Sequence, residues 1–231
     1  MQNPGCSVSV IIPAYREQGI INAAIEGVRR LSGGGTAEII VVDGGPEGET
    51  IAVIRDTAVK TIRSGKGRGL QLNQGARSAA GGGLLFLHAD TTLPPTALER
   101  IGEVLGNEAF VGGAFDLSIA SPRRGFRVIE QVANWRSRLT RIPYGDQAIF
   151  IRAADFNALG GFREIPIMED VDLMRRIKRN RGRIVILREP VRTSARRWEQ
   201  EGMIYGTLRN WLLITLYLCG VPPERLARFY R

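Results

Sequence analysis

The chain has 231 residues, 44% of them hydrophobic and 24% charged, which suits one large domain, or a domain with an appendage, and excludes a disordered chain. Its net charge of +9 is lopsided: residues 1–120 carry 10 Lys/Arg against 12 Asp/Glu, and residues 121–231 carry 22 against 11. A basic half of that kind suits nucleic acid, an anionic membrane face or a phosphorylated substrate, and equally an arginine-rich solvated surface. Cys6 and Cys219 match no metal-ligand spacing or disulfide framework, and no basic-then-apolar signal opens the chain, so a reducing cytoplasm is the expected compartment.

Taken in order, Ser7–Pro13 is a β-branched run closed by proline, a first strand. Ile20, Ile21, Ala24, Ile25, Val28 and Leu31 then form a helical stripe closed by Gly33-Gly34-Gly35. Glu38–Asp43 is a second buried strand, followed by a short helix from Glu49 to Asp56 and a third strand from Val59 to Ile62. A basic glycine loop, Arg63 to Gly69, leads through a helix to Leu84-Leu85-Phe86-Leu87, a strand with both faces buried. That strand ends abruptly in His88-Ala89-Asp90.

Strand and helix alternate over some 90 residues, which predicts an α/β fold with a mostly parallel sheet flanked by helices. Right-handed crossovers put the strand ends on one edge, where Glu17, Asp43, Lys66, Arg68 and Asp90 converge. The second half changes style. A helix over Pro95–Leu105, an antiparallel strand over Gly113–Ser118, a long helix over Phe126–Leu139, and strands over Gln147–Ile151 and Ile184–Leu187 are expected. Between those last two strands, Asp170, Leu173, Met174 and Ile177 share one helix face. A carboxylate on an apolar stripe needs a partner or a task, unless it serves only the helix dipole. Tyr205–Leu218 is a strongly apolar final helix.

Read residue by residue, the chemistry stays open at several points. Asp43 suits either a base or ribose hydroxyl, or the turn before Gly44-Gly45. The Lys66/Arg68 loop offers cations and backbone N–H groups to phosphates, although it matches neither the P-loop nor the dinucleotide glycine pattern. His88, the chain's single histidine, suits a metal ligand, a hydrogen-bond donor to phosphate, or packing at a strand end.

As an ordered set the motifs resemble the inverting family 2 glycosyltransferases of the GT-A fold. The resemblance rests on V-S-V-I-I-P-A-Y-R-E at 8–17, I-I-V-V-D-G-G at 39–45, G-R-G-L-Q-L-N-Q-G-A at 67–76, L-H-A-D-T at 87–91, G-G-F at 160–162 and E-D-V-D-L at 169–173. The glycine loop with L-H-A-D-T looks most like a bacterial branch that includes enzymes linked to arsenosugar biosynthesis. The resemblance implies a GT-A, Rossmann-like domain over residues 1–200, with a nucleotide-sugar half (1–120), an acceptor half (121–200) and a C-terminal helical appendage (201–231). It implies nucleotide-binding roles for Pro13, Tyr15, Glu17 and Asp43, with Lys66 and Arg68 near the phosphates. Asp90 matches the last acidic residue of the D-x-D motif and Asp170 the catalytic base. Arg197-Trp198 matches the end of Q-x-x-R-W, although Ser194 replaces the glutamine, which argues against a processive synthase. His88 replaces the first D-x-D aspartate. A divalent cation, Mn²⁺ or Mg²⁺, is expected at Asp90 and His88, with neutral imidazole a poor ligand for Mg²⁺ and acceptable to Mn²⁺.

The expected activity is transfer of a sugar from a nucleotide diphosphate to an acceptor hydroxyl. One rival, a sugar-1-phosphate nucleotidyltransferase, needs a glycine- and arginine-rich loop with a lysine after the first strand, and residues 12–17 have none. A second rival is a non-catalytic nucleic-acid or membrane-surface binder; the carboxylates at strand ends argue against it, and no nucleic-acid partner is expected. Residues 211–221 are apolar apart from Thr215 and too few to span a bilayer. They suit a core helix or homodimer interface, or a contact with the inner face of a membrane. The membrane contact would favour a lipid-linked acceptor.

Overall fold

The computed structural model describes residues 7–31 and 37–230. Cys6, the closing triglycine at 33–35 and Arg231 lie outside them. Eight strands form one sheet in the order β3-β2-β1-β4-β7-β6-β8-β5. They are β1 (Val8–Ala14), β2 (Glu38–Asp43), β3 (Lys60–Arg63), β4 (Gly83–Phe86), β5 (Thr91–Thr92), β6 (Gly112–Ala120), β7 (Phe150–Arg152) and β8 (Ile184–Ser194). β1 to β4 are mutually parallel, as expected; β7 is antiparallel to both β4 and β6, and β6 is parallel to β8.

Alternation along the strands sorts the core onto the two faces of the sheet. Val10, Ile12, Ile39, Val41 and Leu85 pack with Ile21, Ile25 and Val28 of α1 (Ile21–Leu31) and with Ile101 and Leu105 of α4 (Ala97–Gly106). On the opposite face, Ile11, Ile40, Val42, Leu84 and Phe86 pack with Leu72 of α3 (Arg68–Ser78). Phe156 of α6 (Ala153–Ala158) and Leu173, Met174 and Ile177 of α7 (Glu169–Arg179) complete that side. α3 approaches so closely that a Cβ on Gly75 would stand 2.4 Å from Ile11 Cγ2. Burying some dozen large aliphatic and aromatic side chains completely, at roughly 1.5–3 kcal/mol each, is what fixes the strand ends in space.

Several boundaries differ from the sequence reading. α2 (Glu49–Ala52) is a single turn that stops at Val53 rather than reaching Asp56. The strand expected from Gln147 begins at Phe150, because a 3₁₀ turn (Gly145–Gln147) and Ala148 at φ 48° break the extended backbone. β8 runs on to Ser194 across a register shift that takes up Arg188 and Glu189. α5 (Arg124–Thr140) is close to expectation. The apolar helix, α9 (Met203–Leu218), is not the last element: α10 (Pro223–Leu226) and a 3₁₀ turn (Ala227–Phe229) follow. Leu213, Tyr217 and Leu226 pack on Ile167 and Val171, so this C-terminal segment is seated on α7.

Candidate active site

The parallel strands end together, with Ala14 of β1 opposite Asp43 of β2 and Ile11 opposite Phe86 of β4. The chain segments leaving β1 and β4 form one wall of a cleft of about 590 Å³, within the usual range for a small-molecule site. Pro13, Tyr15, Glu17, Lys66, Arg68, His88 and Asp90 line that wall. Lys66 Nζ stands 4.8 Å from the centre of the Tyr15 ring. The opposite wall comes from the 3₁₀ turn, the start of α7, α8 (Arg196–Glu201) and the inner face of α9. Of the sequence-derived site residues, all but one line this cleft.

The exception is Asp43. It is fully buried, and its carboxylate accepts hydrogen bonds from the backbone N–H groups of Gly45 (2.8 Å), Thr50 (2.9 Å) and Ile51 (3.2 Å). Asp43 thus ties the turn at Gly45 to the first turn of α2, and it is not among the residues that line the cleft. Two further motif residues do similar work. Gln71 Nε2 donates to the carbonyls of Ala14 and Val42, tying the ends of β1 and β2 together. Asn73 bonds both backbone groups of Phe162 and anchors the turn before α7.

Arg68 lines the cleft beside Lys66 and is also bound within the protein. Its guanidinium pairs at 3.2 Å with Glu169, a carboxylate only 2% exposed at the head of α7. Glu169 holds the Arg68 pKa up, and burial pushes the Glu169 carboxyl up against the pull of Arg68. Exposed Lys66 is thus the freer cation on this side of the cleft.

Asp170 sits in the first turn of α7, half-buried. Its Oδ2 accepts a 2.6 Å hydrogen bond from Gly145 N–H, and its Oδ1 one from Val171 N–H. A Cβ at residue 145 would stand 3.2 Å from His88 Nε2 and 3.5 Å from Asp170 Oδ2, so glycine lets the turn fit between them. The turn itself is braced from behind. Buried Gln147 donates to Phe115 O and Ser137 Oγ, and accepts from Tyr144 N–H. Arg136 lies 3.5 Å above the Tyr144 ring.

The structure adds Asp146, which the sequence reading missed. It lines the cleft beside Asp170, and its pKa is raised to about 6, chiefly by burial, then by the charge of Asp170. Glu17 is also raised, by burial and more weakly by Asp90, despite its pairing with Arg196 at 3.3 Å. His88 is pushed down to about 3 by burial and by the nearby Arg68 and Arg197, so it is a neutral imidazole at ordinary pH. Arg197 bonds Glu201 and the Tyr230 hydroxyl (2.6 Å), bringing the end of the described chain back to the cleft. Trp198 lines the cleft and also packs edge-on against Phe126 of α5.

Among the described residues no group of three His, Cys, Asp or Glu side chains is placed to cage a metal ion. Asp90 nevertheless presents a carboxylate near Glu17 and Asp146, both of which feel its charge. One carboxylate with a neutral imidazole two residues away, in a cleft lined by more carboxylates than cations, fits a divalent cation that completes its shell with substrate phosphates.

Residues 9–159 match the model of glycosyl transferase family 2. No curated protein matches the chain in a sequence search. Among solved structures, the mannosyltransferase PcManGT from Pyrobaculum calidifontis, in complex with GDP-Man and Mn²⁺, aligns at 19% identity and TM-score 0.61, over 82% of this chain and 56% of its own. TarS 1–349 of S. aureus, with UDP-GlcNAc, aligns at 15% identity and TM-score 0.60, over 81% and 58%. Glucosyl-3-phosphoglycerate synthase from Mycobacterium tuberculosis, with Mn²⁺, UDP and phosphoglyceric acid, aligns at 20% identity and TM-score 0.63, over 94% and 80%. The chain thus spans little more than half the length of the first two. These likenesses establish the fold.

Proposed function

This chain belongs to glycosyl transferase family 2, and on that premise we propose that it moves a sugar from a nucleotide diphosphate to an acceptor hydroxyl, with inversion, in one in-line displacement. The observation that carries the reading is Asp170. It heads α7 in the wall of the cleft that faces Tyr15, Lys66 and Asp90, and one of its oxygens is fixed by Gly145 N–H. A carboxylate so placed takes the acceptor proton while the sugar–phosphate bond breaks on the far side of the sugar. Pro13, Tyr15 and Glu17 face the nucleotide, and Lys66 meets the charge that grows on the leaving diphosphate. Arg68 acts from one step back, holding Glu169 and so the head of α7 in register with α3. Arg197 closes the acceptor side through Glu201 and Tyr230.

A divalent cation would be held by Asp90, with His88 as a neutral nitrogen donor, and would supply charge neutralisation at the diphosphate. Two solved neighbours that carry Mn²⁺ support this cofactor, and the three described above carry GDP-mannose, UDP-GlcNAc or UDP. The test is thermal stabilisation by UDP-, GDP- and dTDP-sugars, each with and without Mn²⁺. A true donor present at about 100 times its Kd adds about 2.7 kcal/mol. Stabilisation by none of them, in either condition, would overturn the proposal. Chelator-insensitive turnover would remove the cation and leave Lys66 to serve alone.

A further inference from the structure

α9 has two opposite faces. Gly206, Asn210 and Ile214, spaced four apart, line the cleft, and buried Leu213 and Tyr217 seat the helix on α7. The other side is an apolar stripe open to solvent: Ile204, Leu208, Trp211, Leu212 and Leu218, spaced i, i+4, i+7, i+8 and i+14, with Tyr205 beside it. Ile204 is 70% exposed and Leu212 59%. Among the described residues nothing covers this stripe, although the same helix walls the cleft. Sixteen residues span about 24 Å as a helix, short of a bilayer's core; no helix among the described residues is long and apolar enough to cross a membrane.

The surroundings of the stripe are basic. Residues 203–230 contain one carboxylate, Glu224, and three arginines, of which Arg225 and Arg228 are exposed beside the protruding Phe229. At the other end, Met203 packs against Gly125 in the first turn of α5. There Arg123, Arg124 and Arg127 are exposed, and Val128, Trp135 and Leu139 project farther along the same helix. Exposed aliphatic side chains with Trp and Tyr, interleaved with arginines, suit an anionic head-group layer. The core of a protein interface is depleted of charge, so a second copy fits this mixture less well.

We infer that the outer face of α9, with the start of α5, rests on an anionic lipid surface, and that the acceptor is carried in that surface and reaches the cleft along the inner face of α9. The acceptor part rests on the glycosyltransferase reading; the surface part does not. Sedimentation with phosphatidylglycerol/phosphatidylcholine vesicles, against phosphatidylcholine alone, tests the surface. The full chain should pellet only with the anionic vesicles. Joint Leu208→Ser, Trp211→Ser and Leu212→Ser changes should lower partitioning by on the order of 10²-fold. Each of Arg124→Gln, Arg225→Gln and Arg228→Gln should lower it about five-fold, and these three exposed changes leave the apolar packing untouched if the serine variant fails to fold. Binding to neither vesicle, or equally to both, overturns the surface. So does a wild-type dimer that the serine variant converts to monomer, which assigns the stripe to a second copy. Donor stabilisation, measured on the same proteins, should be unchanged; its absence from wild type would sink the transferase reading alone. With a polyprenyl phosphate as probe acceptor, the serine variant should lose turnover on the vesicle-borne form and keep it on a short water-soluble prenyl phosphate. Equal loss or equal retention on both overturns the lipid-borne acceptor.

Discussion

The two walls of the cleft are held by different means. At and behind the wall proposed for the donor, polar motif residues are locked to backbone: Asp43 accepts three N–H groups, Gln71 bridges two strand ends, and Asn73 clasps Phe162. At the wall proposed for the acceptor, charges hold one another: Glu169 with Arg68 from across the cleft, Glu201 with Arg197 and Arg209, and, behind the cleft, Asp172 with Arg176. The first arrangement makes a rigid cradle whose shape follows from the sheet. The second is a network of ion pairs, and the proposed base, Asp170, stands beside it.

If that division holds, the largest effect of a single atom's change falls on the acceptor wall. Asp170→Asn keeps the shape and removes the base, so turnover should drop by about 10²–10⁴-fold. Stabilisation by the donor should persist, because the donor wall is intact. Near wild-type turnover in the folded variant would take Asp170 out of the mechanism. The complementary change, behind the donor wall, is Asp43→Asn. It sets an amide NH₂ against backbone N–H groups in a fully buried site and should cost about 2–4 kcal/mol of stability. Urea denaturation reads it. A variant as stable as wild type, but unable to bind donor, would restore Asp43 to the nucleotide site.

Legibility follows the same line. β1, β2 and β4 were readable because strands buried on both faces are unbroken apolar runs, and their polar ends must then share one edge. The same signal, an acid after a buried strand, marks both a cap and a ligand, which is why Asp43 reads ambiguously and Asp90 does not differ from it in sequence. The pairing of Arg68 with Glu169 is not legible, because the two residues lie about a hundred positions apart in the chain. Asp146 was missed for a topological reason. β7 runs antiparallel to its neighbours, so the residues before it, not after it, reach the cleft edge. The polar residues ahead of an apolar run, Gly145-Asp146-Gln147, were the available signal. α9 was legible as apolar, but a nearly uniform run has no periodicity to show which side faces substrate.

A subtler test asks whether the acceptor wall has its own rigid backing. Gln147 touches no cleft charge, yet it holds the turn that presents Gly145 N–H to Asp170. Gln147→Ala should lower kcat about 10-fold, the scale of one displaced hydrogen bond in the transition state, with KM for donor little changed. Gln147→Glu, which keeps the acceptor oxygen toward Tyr144 N–H and loses the donor toward Phe115, should fall between. A loss confined to KM, or equal losses of kcat and thermal stability with no rescue by glutamate, would reduce Gln147 to packing.

The smallest effect concerns charge alone. Asp146 has its pKa raised to about 6 in the fold, against an ordinary unfolded value near 3.9. Below both values it is protonated folded and unfolded, and contributes no pH dependence. As pH rises between them the unfolded chain releases the proton first, so the native state binds more protons and stability falls with pH. Asp146→Asn removes that penalty. The variant should match wild type near about pH 4 and exceed it by about 1–2 kcal/mol near about pH 7.5, discounted from the full linkage value for cleft solvent. Urea melts at the two pH values measure the difference. A gap that is the same at both ends, or that opens toward acid, would mean that the carboxyl of Asp146 is not the strained member of the wall. Mn²⁺ sharpens the comparison further. If the cation draws on the shared field of Asp90 and Asp146, its addition should raise wild-type stability at about pH 7.5 more than that of Asp146→Asn, and narrow the gap between them.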